Sequence, residues 1–407
     1  MVAELYFLYF ENIEKSMIKI SERVTNSKQS STVGIADIAT RLRERGETVY
    51  DFSAARAFEP TPDYIIDEAI RAMKAGDTHQ TMAIGTTEYR RAIAEKLKRE
   101  NSIIADPESE IIATMGVKQG LTISFLALIN PGDEVIVEDP CFPSYKQLIH
   151  YLGGIPVAVP LRAENNFRWD HKDLEKAVTS KTKAILFNSP QNPTGVVHTE
   201  EDLKMIADVA IKHSLYILSD EVYERIPWGG RKHLNLCNLP GMKERTVTLT
   251  SLTKSFSMGG WRIGYIYAHK DIISSLYKLQ QHLITSCNSF VQAAAALAFR
   301  EPPGKVVLNS WSEWEKKTRF VAEELDSIHG IKCPIPEGAF FVWADISQLG
   351  IPSKEFVERL LEEEKVALVH GSSFGDNGEG YFRMTCSKTW EDNKEGLARI
   401  RKFIENL

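Results

Sequence analysis

Between residues 111 and 268, short apolar runs rich in β-branched side chains alternate with stretches whose apolar residues recur at helical spacing. The runs at 111–115, 134–138, 156–160, 184–188, 216–219, 246–250 and 263–268 predict seven strands. Helices are predicted between them at 118–129, 143–152, 200–213 and 270–283. Parallel strands need long crossovers and bury both faces, so this alternation predicts a mostly parallel sheet with helices on either side. Ahead of it, Val33, Ile35, Ile38, Ala39 and Leu42 have the spacing of a helix that Gly46 closes. A short strand at 49–53 follows, then helices at 61–75, with Pro62 at an early helical position, and at 85–100. After Ser310 a long charged helix at 311–328 leads into strands at 340–344, 366–369 and 381–384, with helices at 353–364 and from Trp390.

The expected fold class is therefore α/β, a large domain with a mostly parallel seven-stranded sheet flanked by helices and a smaller α/β domain drawn from both chain ends. The 407 residues exceed what one hydrophobic core usually supports. The expected division is 1–16 as an N-terminal extension, 17–58 with 310–407 as the small domain, and 59–309 as the large, cofactor-binding domain. Met17 would make a more conventional polar start than the apolar Leu5-Tyr-Phe-Leu-Tyr-Phe10, which lacks the basic flank and cleavage site of a signal peptide.

A net charge of −6 with no strongly basic cluster argues against nucleic acid and leaves small molecules as the expected partners. No apolar run approaches the roughly 20 residues that span a bilayer, so no membrane partner is expected. The five cysteines, Cys141, Cys237, Cys287, Cys333 and Cys386, are odd in number and widely spaced. That pattern speaks against a disulfide framework and a structural metal site, and for a reducing, cytoplasmic setting.

Candidate chemistry gathers around Lys254 in Ser251-Leu-Thr-Lys-Ser-Phe-Ser-Met-Gly-Gly-Trp-Arg262. The lysine follows a predicted strand, where parallel-sheet proteins keep their ligand crevice. Its amine suits a Schiff base, and Ser251 with Arg262 suits an anionic group on the same ligand, a pairing that suggests pyridoxal phosphate. Read alone, Lys254 serves equally well as a solvated surface lysine. Further candidates stand at other strand ends. Gly116, Val117 and Lys118 open a helix whose free amides suit a phosphate. Phe142, in Asp139-Pro-Cys-Phe-Pro-Ser-Tyr145, can stack on a flat ring, and Asn192, in Asn188-Ser-Pro-Gln-Asn-Pro-Thr-Gly195, can donate to a phenolic oxygen. Asp220, in Ser219-Asp-Glu-Val-Tyr223, can keep a pyridine nitrogen protonated, with Tyr223 as a second hydroxyl. Arg383, among apolar neighbours on a late strand, has the fork that matches a carboxylate. Each of these also has a plain structural reading.

In this order and spacing the motifs resemble those of the class I/II pyridoxal-phosphate aminotransferases of fold type I, aspartate-aminotransferase-like branch, from about Met17 to the end of the chain. The resemblance implies that Lys254 holds the cofactor covalently and then, displaced by an amino acid, moves the α-proton to its C4′. It assigns Asp220 to the pyridinium nitrogen, Asn192 and Tyr223 to the phenolic oxygen, and Phe142 to stacking. Ser251, Arg262 and the Gly116-Val117-Lys118 turn would bind the phosphate, and Arg383 the substrate α-carboxylate. It also implies an amino acid and a 2-oxo acid as substrates, domain closure over them, and a homodimer with shared sites.

Two positions depart from the family pattern. Its Gly-Glu-Pro-Asp-Phe segment is replaced by Ala55-Arg-Ala-Phe-Glu59, and Gln80 aligns with the tyrosine that reaches the neighbouring subunit's phosphate, leaving Gln80 or His79 to replace it. Arg56 and Lys118 near the expected pocket point to an acidic substrate, with glutamate and 2-oxoglutarate as one pair. The alternatives are an aminotransferase for neutral or aromatic amino acids, a β-eliminating lyase or cyclopropane-forming synthase on the same fold, and a cofactor-binding regulatory module. A purely structural role leaves the whole constellation unexplained.

Overall fold

The computed structural model describes residues 21–25, 31–300 and 302–407; the expected extension at 1–16 and the residues immediately after it lie outside that set. The strands are β1 (Tyr50–Asp51), β2 (Ile111–Thr114), β3 (Glu134–Asp139), β4 (Ile155–Pro160), β5 (Thr182–Asn188), β6 (Tyr216–Asp220), β7 (Thr246–Ser251), β8 (Gly264–Tyr267), β9 (Phe341–Asp345), β10 (Val366–Ala367), β11 (Val369–His370) and β12 (Tyr381–Thr385). Seven of them form one sheet in the order β2-β8-β7-β6-β5-β3-β4. From β7 to β4 every pairing is parallel, and β8 runs antiparallel to both of its neighbours. The link from β7 to β8 contains no α-helix, only the 3-10 turn Gly259–Trp261. The chain therefore returns beside β7 without a helical crossover.

Both faces of the central strands are covered, which is why β6 and β7 read as unbroken apolar or small-residue runs. One face packs on the helices Val117–Leu128 and Lys270–Leu283 through Leu121, Phe125, Ile273 and Leu276. The other packs on the helix Glu200–Lys212 through Leu203, Ile206 and Val209. That last helix is started by Thr199 and Asp202, each side chain accepting the other's backbone N–H. A separate cluster joins Phe52, before the sheet, to Val321, Phe356, Val366, Phe382 and Phe403, after it. β1 pairs in parallel with β10, while β11, β12 and β9 form a three-stranded antiparallel sheet. Among the described residues no helix is long and apolar enough to cross a membrane.

The elements differ from expectation in four places. The helix Ser289–Arg300 is absent from the sequence-based reading because its alanine run is buried on nearly every side and so shows no polar period. It packs against Asp63–Lys74 and Thr87–Asn101. The short helix His171–Ala177, capped by Asp170, is a second addition. The long helix begins at Lys305 rather than 311. The run at 366–369 is two strands in two different sheets, with Leu368 between them in neither.

Ile217, in β6, is completely buried. Ile217→Ala is expected to cost about 2–5 kcal/mol and Ile217→Val about 0.5–1.5 kcal/mol. Midpoints of urea unfolding measure both, and equal losses would contradict the packing described.

Candidate active site

β5 and β6 end level with one another, and β7 runs two residues further. Asn188 is the ladder partner of Asp220, and Asp220 is the partner of Leu249. A cavity of about 320 Å³ opens over these ends, where the crevice of a parallel sheet is expected. Its floor is polar: Asn188 Nδ2 donates to the Asp220 carbonyl at 2.7 Å, and Asn188 Oδ1 accepts the Asn192 backbone N–H at 2.8 Å. The last residue of one strand thus fixes both the end of the next strand and the turn that follows its own.

Asp220 is buried, and its carboxylate is held from two directions. Oδ2 accepts the Tyr145 hydroxyl at 2.6 Å, and Oδ1 accepts the Val222 backbone N–H at 3.2 Å. Burial nevertheless dominates and pushes the carboxyl up to about 6, against those two donors. Near neutral pH the group is still an anion.

The other charged groups on the lining are cations. Lys254 lies half-buried with Nζ donating to the Ala55 carbonyl and 5.7 Å from the centre of the Tyr223 ring. Burial, followed by the Arg383 guanidinium, lowers its amine to about 8. Arg383 is fully buried between the rings of Phe341 and Phe374, 5.6 and 5.0 Å from its Cζ. It donates to Asn192 Oδ1 at 3.0 Å and to the Ser53 carbonyl at 2.5 Å, while its Nε has no partner. Burial brings this guanidinium down to about 10, and also pushes the Tyr223 hydroxyl up. Arg262 reaches back to the Gly259 and Met115 carbonyls at 3.0 and 3.1 Å, which sets its guanidinium over Gly116. Gly116 has φ +81°, and a Cβ there would stand 2.8 Å from Arg262 Nη2. Glycine is required for both reasons.

Of the residues singled out from sequence, Lys254, Asp220, Tyr223, Val117, Lys118, Phe142, Asn192, Ser251, Arg262, Arg383 and Ala55 line this cavity. Gly116 lies directly beneath Arg262. Arg56 is exposed and off the lining, and His79 and Gln80 are exposed as well. Lys118 is exposed at the mouth with Nζ 5.4 Å from the centre of the Phe142 ring. Sequence reasoning gave no role to Ser53, Tyr145, Asn188 or Thr253, all on the lining. Tyr145 carried a signal, since it stands three residues after Phe142 at the start of a helix and so shares its face. Ser53 had none, because a backbone carbonyl is its contribution. Behind the site, ligand atoms of Glu221, Glu224 and His233 gather within 4.8 Å, but the Lys96 ammonium already bonds Glu224, so that cluster carries its own cation.

Residues 47–400 match the family model described as Aminotransferase class I and II. An aspartate aminotransferase of Pyrococcus abyssi is 39% identical over 386 residues, covering 95% of this chain and 98% of that protein. An aromatic-amino-acid aminotransferase of Thermococcus litoralis is also 39% identical, over 346 residues, 85% of this chain and 89% of that protein. Among solved structures, the aspartate aminotransferase of Rhizobium meliloti has TM-score 0.90 at 30% identity, covering 95% of this chain and 99% of that one.

Tyr145→Phe keeps the ring that packs edge-on against Phe142 at 5.5 Å and removes one of two donors to Asp220. The Asp220 carboxyl is then expected to rise further above about 6. Infrared titration of the aspartate carboxyl band checks this, and an unchanged midpoint would mean that the hydroxyl contributes nothing.

Proposed function

The chain belongs to aminotransferase class I and II, and from that membership we propose how this transaminase holds its cofactor and which substrates it serves. Members of the class are generally dependent on pyridoxal phosphate, and the residues present fit that molecule. The fit rests on the cradle at Gly116, kept open by the absence of a Cβ and faced by Arg262, at the start of the helix Val117–Leu128. When bound, pyridoxal phosphate supplies an aldehyde that links to amines and a pyridine ring that accepts the electron pair left at the amino acid's α-carbon.

The residues divide the remaining work. Arg262, Ser251 and the amides at 116–118 bind the phosphate. Asp220, a buried anion, pairs with the ring nitrogen and keeps its proton in place, while Tyr145 and the Val222 N–H keep Asp220 an anion. Asn192 and Tyr223 would hold the phenolic oxygen, and Phe142 would stack on the ring. Lys254 supplies the amine that anchors the cofactor. Its Nζ would be the base for the proton on the substrate's α-carbon, a task suited to a group whose conjugate acid lies at about 8. Arg383 binds the α-carboxylate through its open edge. Its other edge is fixed on Asn192 and Ser53, so little is lost in ordering it.

The substrate reading is an acidic amino acid paired with 2-oxoglutarate. The observation that carries it is Lys118, a cation at the mouth of the cavity, with Arg262 beside it. An aromatic donor is the second reading, favoured by the aromatic-amino-acid relative and by the half-buried ring on the lining, Phe142 under Lys118. A β-eliminating reaction is not favoured. Separate cores in the sheet and in the Phe52 cluster support the two-domain division proposed above, with closure between them. A cytoplasmic homodimer completes the reading. The exposed His79, Gln80 and Met82 are the candidate face for a second copy, and sedimentation velocity tests it.

Three outcomes test this account. Glutamate is expected to yield 2-oxoglutarate in the presence of an oxo acid with a higher kcat/KM than phenylalanine, and Lys118→Ala should lower only the former. A preference for phenylalanine that Lys118→Ala leaves unchanged would install the aromatic reading. Arg383→Lys loses the two-pronged hold and is expected to lower kcat/KM at least about a hundredfold. A depressed lysine is neutral from about pH 8 rather than from the usual 10.5, so the rate at which cofactor-free protein captures pyridoxal phosphate should rise with pH and level off near 8. Continued rise to pH 10 would contradict the assignment of Lys254.

A further inference from the structure

Behind the cavity floor lies a second buried charge pair that the reaction described above does not use. His198 and Glu138 are both sealed from solvent, and His198 Nε2 stands 3.1 Å from Glu138 Oε1. The same oxygen accepts the Trp169 indole N–H at 3.2 Å. Glu138 Oε2 accepts the backbone N–H of Asn188 at 3.2 Å. Asn188 is the residue whose side chain holds the Asp220 carbonyl and the Asn192 N–H. The imidazole's far side meets Asp202 Oδ2 at 3.8 Å, an ion-pair distance, and the Phe187 ring covers it at 5.7 Å between centroids. Asp202 in turn accepts Arg168 at 2.7 Å, and Arg168 grips Glu337 with its other nitrogen at 2.8 and 2.9 Å. The charged groups facing His198 are therefore Glu138 and Asp202, with Arg168 one step further out.

We propose that His198 and Glu138 are positioning residues: as an ion pair they fix the Asn188 backbone, and through Asn188 they set Asp220 and Asn192 at the catalytic edge of the sheet. A buried pair of this kind gains little net stability, because removing both charges from water costs about as much as their attraction returns. Its directional effect is large, however, since a charged acceptor makes the stronger hydrogen bond to Asn188 N–H and leaves the strand end one position. Burial alone would lower the imidazole, but Asp202 and Glu138 together outweigh it and raise it to about 9. The pair is thus intact at neutral pH.

This inference rests on the cofactor reading above, and two measurements separate their failures. The first uses protein without cofactor, comparing the melting temperature of wild type with that of E138Q/H198Q, which buries no lone charge. A histidine raised from 6.5 to about 9 adds stability fully present below pH 6.5 and lost as pH climbs through 9, so the difference between the two proteins should shrink over that window. A difference constant with pH overturns the charged pair and the proposal with it. The second loads wild type, H198Q and E138Q/H198Q with pyridoxal phosphate and follows the visible band against pH. Both variants weaken the charged hold on Asn188, H198Q by leaving Glu138 without its counter-charge and E138Q/H198Q by removing the charged acceptor, and each should move the band's midpoint by at least about half a pH unit. A wild-type midpoint in E138Q/H198Q overturns the positioning role. Should H198Q fail to fold, the double variant alone decides. If wild type itself gives no band, the cofactor reading fails and the positioning role falls with it, while the melting comparison still decides whether the pair is charged.

Discussion

One buried carboxylate among four cations sets the terms for this molecule. Asp220 is an acid on the lining of a cavity that Lys254, Arg383, Arg262 and Lys118 also face. Burial disfavours its charge, so the anion has to be held by donors that do not move. The fold supplies these donors from two directions and pins the Asp220 backbone from a third. A hydroxyl comes from the helix after β3, an amide from the turn after β6, and a ladder partner from the end of β5. A parallel sheet with levelled strand ends is what brings three such sources to one point.

The cations obey the complementary rule. Arg383 is buried, so its two terminal nitrogens are held by Asn192 and Ser53 while its Nε has no partner. Burial first, then the Arg383 guanidinium, lowers the Lys254 amine to about 8, so more of it stands as the neutral base and nucleophile near neutrality. Arg262 is tied to two carbonyls and held over a glycine, a cradle for an anion rather than a salt bridge. Excess positive charge in a cavity fits a ligand bearing phosphate and carboxylate together. The same excess opposes an empty, rigid site, and a closing second domain would meet that demand only when the ligand is present.

Much of this was legible in the chain. The seven strands showed as apolar β-branched runs because both faces of the sheet are covered, and strand ends carried their polar residues in the same places as the motifs. Asp220, Asn192 and Lys254 each had a plain structural reading alone, and they stood out because the motifs that carry them occur together in the family's order and spacing. The helix Ser289–Arg300 was hidden, since a helix buried on all sides has no polar face to reveal its period. The sequence shows the face Tyr145 shares with Phe142 but not its partner, which is 75 positions away, a range at which spacing says nothing about contacts. Asn188 and Ser53 act through an amide and a backbone carbonyl respectively, the first reading as a turn asparagine and the second as nothing at all. Arg56 illustrates the opposite error: charge adjacent in sequence to the pocket is exposed and off its lining.

The central claim is that Lys254 is the one amine that carries pyridoxal phosphate, and it has a direct test. Purified protein is mixed with the cofactor, reduced with borohydride to fix any covalent link, digested and mapped by mass spectrometry. The account predicts one modified peptide, with the added mass on Lys254, and its loss when Asp220 is replaced by alanine weakens the site. Label on Lys118 or on surface lysines in place of Lys254, or no label at all, would contradict it.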